Sequence, residues 1–217
     1  LGKTEFSGDR DAAGAARRLH YQTDLKRKQD FDRSSGDYDT FLASCGIGAK
    51  VLRPASDMLP RIQDIVERTN QLNTSTNRYD RKQLEALLAS NQHDCFLIEC
   101  SDRYGSYGYA GFLVVGKSGD EATLLDCMFS CRIQGKRIDE AIVRRLVNAY
   151  YSAGFKTFKA RYKRSERNTP AARMLANAGF ASPREDDALL ALNAPAPLSE
   201  IPFIRVDMVH VAPTSPL

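Results

Sequence analysis

From Val51 onward the apolar positions fall into regular patterns. Leu59, Ile62, Ile65, Val66, Thr69 and Leu72 recur at three and four residues, which predicts a helix from Met58 to Leu72. Leu84, Leu87 and Leu88 share one face of a second helix, from Asp80 to Ala89. The period then changes. Cys95–Glu99, Tyr109–Val115 and Ala122–Phe129 are apolar runs bounded by turn residues, and they read as strands. Tyr104-Gly105-Ser106-Tyr107-Gly108 is the turn between the first two, and Lys117-Ser118-Gly119-Asp120 the hairpin turn before the third. A helix follows over Ile138–Ala153, closed by Gly154. Phe158, Ala160 and Tyr162 then alternate with Lys159, Arg161 and Lys163 in a strand. Thr169-Pro170 opens a helix that stops at Gly179. Ala188–Leu192 is a further strand, Ala194-Pro195-Ala196-Pro197 a stiff connector, and Phe203–Val209 an edge strand. The hairpins demand antiparallel pairing and the strand-helix-strand step a parallel crossover. The expected fold is α/β in the α+β sense: a mixed, largely antiparallel sheet flanked by helices.

The first fifty residues look different. Residues 12–31 could form one helix, but Ala15, Leu19 and Leu25 are too sparse to bury it alone. A short helix capped by Asp39 follows, through Phe41 and Leu42 to Gly46 or Gly48. Residues 1–50 are therefore read as an N-terminal helical extension, a linker or the tail of a preceding domain. Residues 51–209 are the globular domain and 210–217 a C-terminal tail. Leu1 is no natural start residue, so the chain reads as a piece of a longer one.

Composition narrows the class. With 42% hydrophobic and 27% charged residues in 217, a buried core is within reach and wholesale disorder is not expected. No apolar run is long enough for a membrane helix, and the start has no signal-peptide pattern. Cys45, Cys95, Cys100, Cys127 and Cys131 are odd in number and include no CxxC pair. That argues for reduced thiols in a cytoplasmic protein and against a disulfide framework or a zinc knuckle; no metal is expected. The net charge of +4 does not itself predict a nucleic-acid binder. It is unevenly spread: residues 132–167 carry eleven Lys or Arg against three Asp or Glu, a net +8, which leaves −4 for the rest. Such separation marks a face for an acidic partner. Arg144 and Arg145 fit a solvated helix face, whereas Lys159, Arg161 and Lys163 on one side of a strand are harder to set aside.

The informative joint is Ser130-Cys131-Arg132-Ile133-Gln134-Gly135-Lys136-Arg137-Ile138. A strand ends, a glycine permits an unusual turn, and a helix begins. The free amides of a first helical turn favour an anion, and Arg132, Lys136 and Arg137 add positive charge. A phosphate or pyrophosphate suits this place; an ordinary strand-helix loop is the alternative. By strand alternation Asp126 and Ser130 share one face, with Cys127, Phe129 and Cys131 on the other. Cys131, next to the basic turn, could carry an acyl group covalently or be a small apolar filler, as Cys95, Cys100 and Cys127 are read to be.

The strand, the Arg132-x-x-Gly135 turn, the helix, and then Asn168, Ala172, Gly179 and Phe180 resemble the GNAT acyltransferase superfamily. More narrowly, the chain is similar to the C-terminal half of FkbH-like proteins. The similarity rests on Arg68-Thr69-Asn70-Gln71-Leu72-Asn73 with Arg78-Tyr79, on Asp102–Gly108, on Ser130-Cys131-Arg132 with Gly135, and on Ala178-Gly179-Phe180. The resemblance implies a GNAT-like fold and transfer of a small hydroxyacyl group, glyceryl derived from a phosphoglycerate, to the phosphopantetheine thiol of an acyl carrier protein in polyketide assembly. It implies an upstream haloacid-dehalogenase-type phosphatase domain, and neither nucleic acid nor membrane as partner. It implies phosphopantetheine or coenzyme A held by the turn Arg132, Ile133, Gln134, Gly135, Lys136 and Arg137. Cys131, Asp126 and Asn168 become the catalytic candidates, and Asn70 and Gln71 candidates to line an acyl pocket. The alternative role for Asn168 is to cap its helix. Two departures stand out: Arg137 replaces the small third residue of the turn, and Leu175 occupies the place of a general-acid tyrosine. They support one alternative, a degenerate module that docks the carrier protein for the phosphatase domain; neither favours the other alternative, an acetyl-CoA-dependent N-acetyltransferase. Asp9-Arg10-Asp11, Asp30-Phe31-Asp32 and Asp37-Tyr38-Asp39 follow no apolar strand, so no phosphatase motif is read in this chain.

Overall fold

A computed structural model describes residues 22–34, 36–192 and 197–211. Three long strands, β3 (His93–Asp102), β4 (Gly105–Ser118) and β5 (Glu121–Phe129), form an antiparallel meander. On one side β1 (Ile47–Leu52) pairs antiparallel with β3, and β8 (Ile204–Met208) parallel with β1. On the other side β6 (Thr157–Lys163) runs parallel to β5, and β7 (Asp187–Ala191) antiparallel to β6. The two-residue strand β2 (Leu72–Asn73) also pairs with β5. The order is β7-β6-β5-β4-β3-β1-β8. The expected mixed, largely antiparallel sheet is the one observed.

Helices cover both faces, so the central strands are buried on both sides and show little alternation of polar and apolar positions. In β5, Cys127 and Phe129 enter one core and Met128 the other. The first core takes α2 (Tyr38–Ser44), α5 (Ile138–Ser152) and α6 (Thr169–Asn177); the second takes α3 (Leu59–Arg68) and α4 (Arg81–Ala89). Asp94 of β3 is a buried carboxylate that joins several elements. Burial alone would raise its pKa. Hydrogen bonds from Tyr150 (2.6 Å), Arg53 (2.9 Å) and Lys117 (3.1 Å) outweigh that and hold its carboxyl below the usual range.

Several boundaries differ from those read in the sequence. The sheet begins at Ile47, so the division expected at residue 50 falls inside β1. Phe41, Leu42 and Cys45 of the supposed extension belong to the first core. Residues 22–32 are helical (α1), and buried Arg27 reaches from there to Asp102 (2.8 Å) and the Tyr107 hydroxyl. The sparse apolar face is thus supplemented by a buried cation. The rest of the expected 12–31 helix, Asp9-Arg10-Asp11 and most of the C-terminal tail lie outside the described residues. Asp37, not Asp39, caps α2. The first strand turn is only Arg103-Tyr104, and the chain is already extended again at Gly105. Helix α3 ends at Arg68 rather than Leu72, because Thr69 is extended (ψ 114°) and leads the chain into the sheet.

Gly111 faces Phe129 across the β4/β5 ladder. A methyl group on Gly111 would come within 2.5 Å of the Phe129 ring, which is 1% exposed. Gly111→Ala is expected to cost about 1–3 kcal/mol in urea denaturation, the usual range for overpacking. A loss below about 0.5 kcal/mol would show that the ring can shift.

Candidate functional site

β5 and β6 keep parallel register only from Glu121↔Thr157 to Leu124↔Ala160. Beyond that they part, and the chain's own residues 72–75 enter the gap. Leu72 and Asn73 pair with Phe129 and Met128. The Thr74 amide donates to the Cys127 carbonyl (3.1 Å), and the Lys163 amide of β6 donates to the Thr74 carbonyl (2.7 Å). A short stretch of backbone thus bridges two strands that no longer reach each other.

Two buried polar side chains fasten this bridge. Asn168 is wholly buried. Its Nδ2 donates to the carbonyls of Asn73 (2.9 Å) and Lys163 (2.8 Å), while its Oδ1 accepts from the Ser165 amide (2.8 Å) and the Tyr162 hydroxyl (3.1 Å). These bonds occupy the amide's capacity. Asn168 therefore neither caps α6 by its side chain nor has a donor to spare for a pantetheine arm, against both expectations. Asp126 is equally sealed. It accepts from the hydroxyls of Ser75 and Tyr79 and from Asn77 Nδ2 (3.1 and 3.2 Å). Burial raises its pKa, and these bonds oppose the rise. It anchors the 75–79 loop and faces no cleft, which corrects its expected place beside a reacting group. The loop also holds Thr76 at φ 63°, fixed by its amide's bond to Asn73 Oδ1 (2.9 Å).

The turn after β5 departs from a phosphate cradle. Residues Cys131–Ile133 form a 3-10 turn. The amides of Ile133, Gln134 and Lys136 are consumed by the carbonyls of Ser130, Cys131 and Ile133. Ile133 is wholly buried in the core. Lys136 is buried too: its Nζ donates to the Arg132 carbonyl (2.6 Å) and lies over the Tyr107 ring, and burial lowers its pKa. Arg137 takes a left-handed conformation (φ 60°) at the start of α5, and its guanidinium binds Asp39 and Glu140. Gln134 and Gly135 stay exposed, Gly135 at φ 77°, beside a cavity of about 220 Å³ that also meets Arg137, Asp139, Glu140 and Arg173. The first turn of α5 already holds two carboxylates, so the residues do not fit a further pyrophosphate there.

A different cleft gathers most of the remaining candidates. A cavity of about 390 Å³ is lined by Arg68, Asn70, Gln71, Cys131, Arg132 and Arg167, over Phe129 and Tyr109. Cys131 is exposed in it, whereas Cys45, Cys95, Cys100 and Cys127 are buried, with burial pushing Cys95 and Cys100 up to about 12. An adjoining cavity of about 510 Å³ shares Asn70 and Arg167 and adds Asn73, Thr76, Arg78 and Glu166. Arg68, Arg78 and Arg167 carry no periodic signal; Arg68 and Arg78 stand in the runs behind the FkbH-like resemblance, and Arg167 ends the positive stretch 132–167. Lys159 and Arg161, expected to face an acidic partner, meet Glu121 (2.5 Å) and Asp187 (3.0 Å) on neighbouring strands.

Asp139 has the most displaced carboxyl at this end of the sheet. Burial and the neighbouring Glu140 raise it to about 6, against hydrogen bonds from its own and the Glu140 amide. Its folded pKa lies above its unfolded one, so it favours the folded state most below about pH 4, and this stabilisation is lost as pH rises through about 6. Asp139→Asn should therefore be more stable than the parent at pH 7.5, by up to roughly 2–3 kcal/mol, with a flatter profile between pH 4 and 7. Urea titrations at four pH values would show this; parallel profiles would mean that Asp139 ionises normally.

No family model matches the chain, and no curated protein does. Solved structures do. A domain from Methanocaldococcus jannaschii aligns over 67% of this chain and 98% of its own at 15% identity and a TM-score of 0.54. The ribosomal-protein-S18-alanine N-acetyltransferase of Escherichia coli aligns over 70% and 99% at 16% identity and 0.51. The PaiA N-acetyltransferase of Thermoplasma acidophilum, solved with coenzyme A, aligns over 65% and 96% at 11% identity and 0.50. With a sheet of this order and helices on both faces, the chain has the fold of the GNAT N-acetyltransferases.

Proposed function

We propose that this chain is an acyltransferase domain that moves a small hydroxyacyl group, glyceryl, to the phosphopantetheine thiol of an acyl carrier protein. The observation that carries the reading is the cleft in which Cys131, exposed, stands with Asn70, Gln71 and Arg132. These groups come from two distant sequence runs, and both runs support the FkbH-like resemblance.

The chemistry asks little of the protein. A thioester carbonyl needs hydrogen-bond donors, and the amides of Asn70 and Gln71 can supply them. A pantetheine thiol is nucleophilic near neutral pH and needs little help from a base. In a two-step exchange the Cys131 thiolate attacks the donor thioester and expels its thiol. The carrier's thiolate then attacks the Cys131 thioester and releases Cys131. Asp126 and Asn168 act at one remove, by holding the 72–79 segment that presents Asn70 and Gln71. They are positioning residues in this reading, not catalytic ones. The glyceryl group would come from a phosphoglycerate through a separate phosphatase domain.

A second reading is a module that binds the carrier protein without chemistry, and the backbone filling the β5/β6 gap favours it. Acetyl-CoA-dependent N-acetyl transfer has less support, because the α5 end is already neutralised. One experiment separates the three. The protein is incubated with a glyceryl thioester of a small thiol and a holo acyl carrier protein, and both proteins are weighed intact. Transfer is expected, with a glyceryl adduct on the enzyme that is lost in Cys131→Ala together with at least about a hundredfold of rate. Carrier binding without transfer would establish the docking module. Acetylation of an amine from acetyl-CoA would establish the third reading.

A further inference from the structure

The arginines around α5 and β6 are mostly spoken for. Arg137, Arg144, Arg145, Arg161 and Arg164 each meet a carboxylate. The cleft is different. Among the described residues, Arg78, Arg132 and Arg167 form no ion pair. With Arg68 they set four guanidinium groups against two carboxylates, Asp64 and Glu166, and Asp64 is already matched to Arg68 at 2.7 Å.

Two of these guanidiniums are oriented by neutral acceptors. Arg78 donates to Asn70 Oδ1 (2.5 Å) and to the Asn77 carbonyl (3.3 Å); Arg132 donates to the Tyr107 carbonyl (3.4 Å). Each keeps further N–H groups for a ligand. Arg167 directly precedes Asn168, whose buried bonds fix the backbone there. Arg78 and Arg167 line the same cavity, and that cavity meets the one holding Cys131 at Asn70 and Arg167. A planar fork of donors on a partly fixed arm is what phosphate oxygens bind best.

We propose that Arg78 and Arg167 form a phosphate site, which takes the phosphate of a phosphopantetheine arm while the thiol end reaches into the Cys131 cavity. This rests on the thiol-transfer reading and moves the phosphate away from the Gly135 turn. The turn offers a neutralised Arg137, a buried Lys136 and two acidic residues. The Arg78–Arg167 cavity offers two guanidiniums that face only the Glu166 carboxylate. The same chemistry has two sources, the arm of a carrier protein or coenzyme A. Arg132, beside Cys131, stands at the acyl end in either case.

The test is calorimetric titration of the intact chain with pantetheine 4′-phosphate, with pantetheine, with coenzyme A, and with an acyl carrier protein bearing or lacking its arm. Arg78→Gln and Arg167→Gln should each weaken pantetheine phosphate by roughly tenfold, and binding should fall with added salt. Pantetheine without phosphate should bind as weakly as the double variant. Arg173→Gln, at the α5 end, should bind like the parent. The holo carrier protein binding more tightly than coenzyme A and than the apo carrier supports the carrier as the source; the reverse supports coenzyme A. Loss of binding in Arg173→Gln with Arg78→Gln and Arg167→Gln unaffected would overturn the proposal, as would equal binding with and without phosphate. Melting temperatures of the variants control for misfolding, and a variant that melts early is replaced by Arg→Lys, whose point charge should restore only part of the affinity. Phosphate-dependent binding that persists in a protein unable to transfer an acyl group would sink the proposed activity but not this site.

Discussion

Asn168 joins three pieces of backbone that the sheet itself leaves apart. β5 and β6 separate after four register pairs, and the end of a sheet at such a split exposes unpaired amides and carbonyls on two strands. The Thr74 backbone satisfies one group on each side, and Asn168 satisfies the Asn73 and Lys163 carbonyls that remain. Leaving such groups unpaired in the interior would cost about 1–3 kcal/mol apiece. The segment is therefore part of the sheet's hydrogen-bond closure. Its position decides where a ligand can go. The split cannot receive an extended arm along β5 while Leu72–Thr74 lies there, and Asn70 and Gln71 are carried to the rim of the cleft instead.

The same economy governs the charges. A helix N-terminus after a strand is a ready anion site, but here α5 begins with Asp139 and Glu140, and Glu140 also engages Arg137 and Arg144. Arg137 goes on to bind Asp39, so the α5 end is tied to α2 rather than left open. Lys136 turns inward. The positive surplus read over residues 132–167 is real as a count, yet cross-strand and cross-helix partners absorb much of it. Of these cations, Arg132, Lys163 and Arg167 form no ion pair among the described residues; Arg132 and Arg167 line the cleft, and folding adds Arg78 from far earlier in the chain.

Much of the fold could be read from the sequence because burial there is periodic. The meander, α4, α5 and β6 follow apolar spacing directly. β1 carries no clear pattern, because Gly48 and Lys50 interrupt its Ile47, Ala49 and Val51, and its small residues resemble loop sequence. β2 could not be read at all. Two residues have no period, and Leu72 continues the spacing of α3 so well that the helical pattern runs through it. For the site, Cys131, Arg132, Asn70 and Gln71 do converge. Asp126, Asn168, Ile133 and Lys136 do not, because a strongly polar residue in a family-like run looks the same whether it faces ligand or seals a loop. Only the hydrogen-bond partners tell the two apart.

On the proposed reading, the distribution of cysteines and charge suits a thiol acceptor better than an amine. Four of the five are buried, where burial disfavours the thiolate and the residue behaves as a small hydrophobe. The fifth opens onto guanidinium groups of Arg132 and Arg167. Positive charge there would oppose the approach of a protonated amine. A polyamine or lysine acceptor would have to enter past the same guanidinium groups that are proposed to hold the anionic arm. On the proposed reading, the positive charge of the cleft would favour an acidic, phosphorylated thiol carrier over a cationic acceptor.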